Sequence, residues 1–285
     1  MNETTAAAAA ALAPRKSLGQ HFLLDEAICR RIAAQAGDLT GRQVLEIGPG
    51  PGGLTRALLA TAAAAVTAIE FDARAVAVLE PLVAEAAGRL RVVEGDALGM
   101  DLAALVPAPR QIVANLPYNI ASPLLVGWMR DAAAFERLTL MFQQEVAERI
   151  AAAPNTEAYG RLSVLCQWRC EVRLAMSLPP GAFRPPPKVW SAVVVLVPRA
   201  QAPSPVLFRA MERTTAAAFG QRRKMLRGAL KSLGDAEGLL DAAGIDGSRR
   251  AETLTVAEFA TLAGVVAERA ATPRTTPPAP PASTR

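Results

Sequence analysis

The chain has 285 residues, 51% of them hydrophobic, with a formal net charge of +5. That length holds one large domain and a small one, and no apolar run reaches the roughly 20 residues of a membrane span, so no membrane partner is expected. Three scattered cysteines (Cys29, Cys166, Cys170) beside a single histidine form neither a metal constellation nor a disulfide framework, so no metal is expected and a reducing cytoplasm fits. The start, Met1 to Thr5 followed by an alanine tract, lacks a basic region and does not read as a signal peptide. The positive charge suits a polyanionic partner or simply a solvated basic surface, and composition does not choose between them.

In chain order, 1–13 has no periodicity and reads as disordered. Val44-Leu45-Glu46-Ile47 reads as a first strand, with a helix starting near Leu54. Val66 to Glu70 and Leu90 to Glu94 read as further strands, separated by a helix from Ala73 to about Ala87. Gln111 to Ala114 is a fourth strand. Ser122-Pro123 is expected to cap and start the next helix, and Leu138 to Phe142 to form a fifth strand. Val172 to Leu178 and Ser191 to Val197 read as a late antiparallel pair around a proline-rich loop. Strands alternating with helices predict an α/β fold with a parallel sheet. After a linker at 199–205 the pattern is helical to about residue 270. The Pro/Thr/Ala-rich tail 272–285 cannot bury a core. Cys166 and Cys170, one turn apart on an expected helix, read as core.

Gly48-Pro49-Gly50-Pro51-Gly52-Gly53 lies between a strand and a helix, where glycines let a ligand approach the backbone. Gly48, Gly50 and Gly53 satisfy the dinucleotide fingerprint, and Glu70 follows about 20 residues later, so a nicotinamide enzyme is a competing reading. Against it, the intervening prolines remove amide donors that a pyrophosphate needs. Glu46 suits a cationic head group, and Asp96 ends a strand where an adenine amine could donate to it. Together these describe a nucleoside with a positively charged tail and no phosphate, which is S-adenosylmethionine.

Asn115-Leu116-Pro117-Tyr118 sits at a strand's carboxyl end, where open parallel sheets bind ligands. It is either a turn with a packed tyrosine or a site that holds a planar amine edge-on under a stacking ring. In the second case, the Asn115 side-chain oxygen and Leu116 carbonyl each accept one N–H. The nitrogen lone pair is then free to attack a methyl group at about 3 Å.

These residues resemble the ribosomal RNA adenine N6-dimethyltransferases. The blocks that carry the resemblance are Lys16 to Leu23, the Gly48 loop, Glu70, Asp96, Asn115 to Ser122, Phe183 to Val189 and Phe219 to Leu226. The resemblance implies a class I, Rossmann-like methyltransferase fold with a seven-stranded, mostly parallel sheet at 14–198 and a small all-helical domain at 206–271. It implies that Gln20, His21 and Leu23 form a lid over the cofactor and that Gly48 and Gly50 approach its methionine part. Glu70 would bind the ribose, Asp96 the adenine, and Asn115 both cofactor and target. Leu116, Pro117 and Tyr118 would complete the catalytic loop, with Phe183 a second stacking ring. At His21 bacterial members often carry asparagine, and a satisfied surface histidine is the alternative there.

The implied activity is dimethylation of two adjacent adenines in the 3′-terminal hairpin of 16S ribosomal RNA, within a pre-30S particle and by a monomer. The rival readings are a 23S RNA methyltransferase and an assembly factor whose binding matters more than its catalysis. Phe219, Leu226, Leu230 and Leu233 fall at helical spacing, with basic residues alongside. Arg222, Arg223, Lys224 and Arg227 then read as RNA phosphate contacts, or as a solvated helix face.

Overall fold

The computed structural model describes residues 10, 12–15 and 18–271 and divides into two compact units, 1–202 and 203–285. The expected disordered ends fall almost wholly outside the described residues, as do Lys16 and Ser17. Leu12 departs from the expectation for 1–13. It is buried against Phe22 and Ala75, the one large apolar side chain in an alanine run finding a pocket.

The first unit is built on strands β2 (Gln43–Ile47), β3 (Ala65–Glu70), β4 (Leu90–Glu94), β5 (Arg110–Asn115), β6 (Arg137–Gln143), β7 (Cys170–Leu178) and β9 (Ser191–Pro198). They form one sheet in the order β4-β3-β2-β5-β6-β9-β7. The pairs from β4 to β6 are parallel, whereas β9 runs antiparallel to both of its neighbours. A run of valines explains the place of β9, since β-branched side chains suit a strand covered on both faces. Helices α1 (Glu26–Gln35), α2 (Gly53–Leu59), α3 (Ala73–Glu85), α4 (Leu102–Leu105), α5 (Tyr118–Arg130), α6 (Gln144–Ala151) and α7 (Arg161–Arg169) complete the unit. The order reverses between β2 and β5, and a switch point of this kind opens a crevice at the strands' carboxyl ends.

A second, two-stranded sheet joins β1 (Phe22–Leu23) to β8 (Phe183–Arg184), pairing Phe22 with Arg184 and Leu23 with Phe183. The amino-terminal segment expected to act as a lid is therefore tied by main-chain bonds to the proline-rich loop after β7.

Three local expectations are corrected. Helix α5 begins at Tyr118, not at Ser122, because Pro117 already has the capping conformation and its carbonyl takes the first helical amides. Pro123 sits inside the helix, near enough to the start to cost a single intrahelical bond. Cys166 lies in α7 but Cys170 opens β7. Both are buried, and burial pushes the Cys170 thiol up to about 12, so both are core residues as read. Pro205, expected in the linker, is the first residue of α8 (Pro205–Gly220), whose start is capped by Ser204.

The second unit consists of α8, α9 (Leu226–Ala229), α10 (Ala236–Ala242) and α11 (Val256–Ala271). Phe219 of α8 stacks on Phe259 of α11 at 5.5 Å between ring centres. The continuous stripe expected from Phe219 to Leu233 does not form. The chain leaves the helix at Gln221, turns, and restarts at Leu226, with a bridge from Met225 to Arg250.

Candidate active site

At the switch point a cavity of ≈250 Å³ opens between the ends of β2, β3 and β5. Its wall contains every residue expected at the cofactor or the catalytic loop except Phe183: Gln20, His21, Leu23, Gly48, Gly50, Glu70, Asp96 and Asn115 to Tyr118.

Two glycines show why the loop after β2 needs them. Gly48 has φ +69°, and a Cβ there would stand 3.5 Å from the Pro117 ring, so the glycine loop and the tetrapeptide abut. At Gly53 a Cβ would meet the Leu23 carbonyl oxygen at 2.2 Å, so helix α2 starts directly beneath β1. The Gly50 amide donates to Glu70 at 3.1 Å, and the other Glu70 oxygen accepts from the Asp72 amide at 2.9 Å. Burial raises the Glu70 pKa. Asp96 is exposed and caps the turn after β4 by accepting from the Leu98 amide at 2.9 Å, which engages a single carboxylate oxygen.

Glu46 also lines the cavity. It is 1% exposed, and its Oε2 and the Thr55 hydroxyl are both without a hydrogen-bond partner among the described residues. Burial raises its pKa to about 8, against a lowering from the Thr55 hydroxyl nearby. Such an acid is a natural counter-ion for a cation entering the cavity.

Asn115 ends β5. Its side-chain nitrogen donates to the His21 carbonyl at 3.1 Å. A carbonyl can only accept, so this bond fixes the amide and leaves Oδ1 free for a donor. His21 Nδ1 stands 2.8 Å from the Pro185 carbonyl and must carry the proton for the same reason. The Tyr118 hydroxyl bonds Ser191 Oγ at 2.6 Å, and its ring lies 5.6 Å from the His21 ring. Gln20 donates to Asp72 at 3.2 Å, and Arg74, the main cause, holds the Asp72 carboxyl down to about 2.

The structure does not bring Phe183 to this site. It is fully buried in the core with Leu23, Cys29 and Val193, because pairing with β1 turns its side chain inward. Stacking on a target base from both sides by Tyr118 and Phe183 is therefore not available in this arrangement. Arg222, Arg223 and Lys224 lie exposed on the turn between α8 and α9, and exposed Arg227 lies in α9. They belong to the second unit.

Sequence reasoning missed Phe71 and Leu98. Both line the cavity although they are 64% and 48% exposed. A large apolar residue directly after a strand-terminal acid was the available signal for Phe71. Exposed apolar faces beside Glu70 and Asp96 fit a flat heterocycle. Among the described residues no acidic, histidine or cysteine group could hold a metal ion, and no helix is long and apolar enough to cross a membrane.

A mostly parallel seven-stranded sheet with β9 reversed, and an acid-lined cleft at its switch point, define a class I S-adenosylmethionine-dependent methyltransferase. The sequence matches the family model for ribosomal RNA adenine dimethylase over residues 11–268. The chain belongs to that family. It is 65% identical over 249 residues to the ribosomal RNA small subunit methyltransferase A of Gluconobacter oxydans, covering 87% of this chain and 82% of that protein. The protein of the same description from Rhodospirillum rubrum is 58% identical over 252 residues, 88% of each chain. Among solved structures, a dimethyladenosine transferase from Plasmodium falciparum superposes with a TM-score of 0.74 at 26% identity, covering 85% of this chain and 96% of that one. The 23S rRNA methyltransferase ErmE gives 0.64 at 28% identity, covering 86% and 99%.

Proposed function

We propose that the chain dimethylates N6 of two adjacent adenines in the 3′-terminal hairpin of 16S ribosomal RNA, as a cytoplasmic monomer acting on a pre-30S particle. The small-subunit names and high identity of its relatives support this substrate over 23S RNA. The observation that supports the chemistry is the Asn115–His21 bond, which engages the amide nitrogen of a cavity-lining residue and leaves Oδ1 free to accept.

When bound, S-adenosylmethionine supplies an electrophilic methyl group on a sulfonium. Glu70 and Asp96 would hold its ribose and adenine, Gly48 and Gly50 its methionine part, and Gln20, His21 and Leu23 would cover it. Glu46 would face its cationic tail. In the first transfer Asn115 Oδ1 and the Leu116 carbonyl would each accept an N–H of the adenine amine, drawing its lone pair out of conjugation with the ring; in the second a single N–H remains to be held. As that nitrogen takes the methyl group and gains positive charge, the two fixed dipoles would stabilise it, and its N–H proton, made acidic by that charge, would pass to water. The Pro117 carbonyl takes the Ile120 and Ala121 amides, which leaves the Leu116 carbonyl outside the helix and available. Tyr118, anchored through its hydroxyl, offers a ring face to a base flipped out of its stack.

Incubation with 30S particles from an unmethylated strain and labelled cofactor, followed by mapping, tests the proposal. Label confined to two neighbouring adenines near the 3′ end of 16S RNA is expected. No label on those adenines, with label instead on 23S RNA when 50S particles are supplied in a parallel reaction, overturns it. S-adenosylhomocysteine, and not NAD, should raise the melting temperature.

A further inference from the structure

The loop between β8 and β9 is held at both ends by residues of the cleft. The Pro185 carbonyl is bonded to His21 at 2.8 Å, and Ser191, which opens β9, is bonded to Tyr118 at 2.6 Å. Between these anchors the Trp190 carbonyl accepts from the Gln144 amide at 2.9 Å, and Ser191 pairs with Gln143 at the carboxyl end of β6. Trp190 is thus fixed at the same sheet edge as Asn115 and one residue from the partner of Tyr118.

Its side chain nevertheless stands 51% exposed, beside Val189 at 44%. Of the other tryptophans, Trp128 is buried and Trp168 half-buried. Prolines at 185–187 stiffen the loop, and exposed Arg184 and Lys188 form no salt bridge with any described residue. Glu145, the acid in the first turn of the adjoining helix α6, is engaged by Arg149. An exposed indole on a main-chain-anchored loop, preceded by two exposed cations and adjacent in sequence to the residue that bonds Tyr118 of the cleft, has the composition of a single-strand stacking platform.

We propose that this loop docks the RNA strand flanking the target adenine, with Trp190 stacked on a neighbouring base and Arg184 and Lys188 on the phosphates. The inference rests on the reading of the chain as a ribosomal RNA methyltransferase and adds a contact that the methyl-transfer chemistry does not use. It concerns how the strand is held, not how the methyl group moves.

The test compares wild type, Trp190→Ala, Trp190→Phe and an Arg184→Ala/Lys188→Ala double variant on unmethylated 30S particles. Trp190→Ala should raise KM for the particle roughly tenfold, with kcat and the melting-temperature rise from S-adenosylhomocysteine unchanged. Trp190→Phe should recover most of that loss, and the double variant should lower the salt slope of binding by roughly 0.7 per charge removed. An unchanged KM in Trp190→Ala overturns the proposal, as does an equal loss in Trp190→Phe. Failure of the wild type to methylate the particle sinks the parent reading with it, whereas a normal Trp190→Ala enzyme sinks the loop alone.

Discussion

Asn115 shows how a single hydrogen bond converts an ambiguous side chain into a directed one. An amide offers both a donor and an acceptor, and only the pairing of its nitrogen with the His21 carbonyl decides which faces the cleft. Asn115→Ala should leave the fold intact and weaken the thermal response to S-adenosylhomocysteine without abolishing it, while lowering kcat by roughly 10²–10³, the usual cost of losing one preorganised dipole. Near-normal turnover in a single-turnover assay would remove the lone-pair mechanism. Glu46 makes a second prediction. Its pKa is raised from 4.5 to about 8 by burial, so between those values the folded state keeps a proton that the unfolded chain has lost. Stability should therefore fall as pH rises through this window, by about 1.4 kcal/mol per pH unit from this group. Glu46→Gln should show a flatter dependence than wild type in urea unfolding at pH 5.5 and 7.5. A cationic ligand favours the ionised form, so cofactor binding near neutral pH should release a proton in the wild type and not in Glu46→Gln. Calorimetry in buffers of different ionisation enthalpy would measure that release.

At the level of elements, the short pairing of β1 with β8 organises the entrance to the cleft. Helix α2 starts so close beneath β1 that Gly53 has no room for a methyl group against the Leu23 carbonyl. Gly53→Ala should destabilise the fold by about 1–3 kcal/mol, as overpacking does, and weaken S-adenosylhomocysteine binding by loosening the lid. Wild-type affinity with an unchanged melting temperature would show that the lid is not supported from below. The strands of the large sheet were legible because their apolar runs, bounded by turn residues, match the length and burial of parallel strands. The break at Gln221 was not, because the hydrophobic period continues across it, while the non-helical backbone at Gln221 and the tertiary bridge from Met225 to Arg250 depend on contacts distant in sequence. Phe183 lies in the core, not in the cavity wall, for a related reason. Its motif predicts an aromatic near the cleft, whereas which way a two-residue strand turns its ring depends on a partner, Leu23, that lies 160 positions away. Glu70, Asp96 and Asn115 were legible because strand ends are where a parallel sheet must present its chemistry.

For the whole molecule, a net charge of +5 is too small to identify a polyanionic partner, so the distribution of charge matters more than its sum. Arg222, Arg223 and Lys224 stand exposed on a turn, and Arg227 follows on the short helix after it. A turn presents consecutive cations in different directions, so the cluster suits binding to several phosphates better than the single helix face expected from periodicity. Phosphate binding of this kind is sequence-independent and acts by releasing counterions, so it should show in the salt dependence more than in the choice of adenine. Replacing Arg222, Arg223 and Arg227 by alanine should weaken binding to unmethylated 30S particles and reduce the slope of log affinity against log salt by roughly 0.7–0.9 for each phosphate no longer neutralised. The modified positions should stay the same, because phosphate contacts carry no sequence information. Affinity and slope both equal to wild type would mean that this turn faces solvent in the complex. A shift in the modified adenines would mean instead that it reads the RNA.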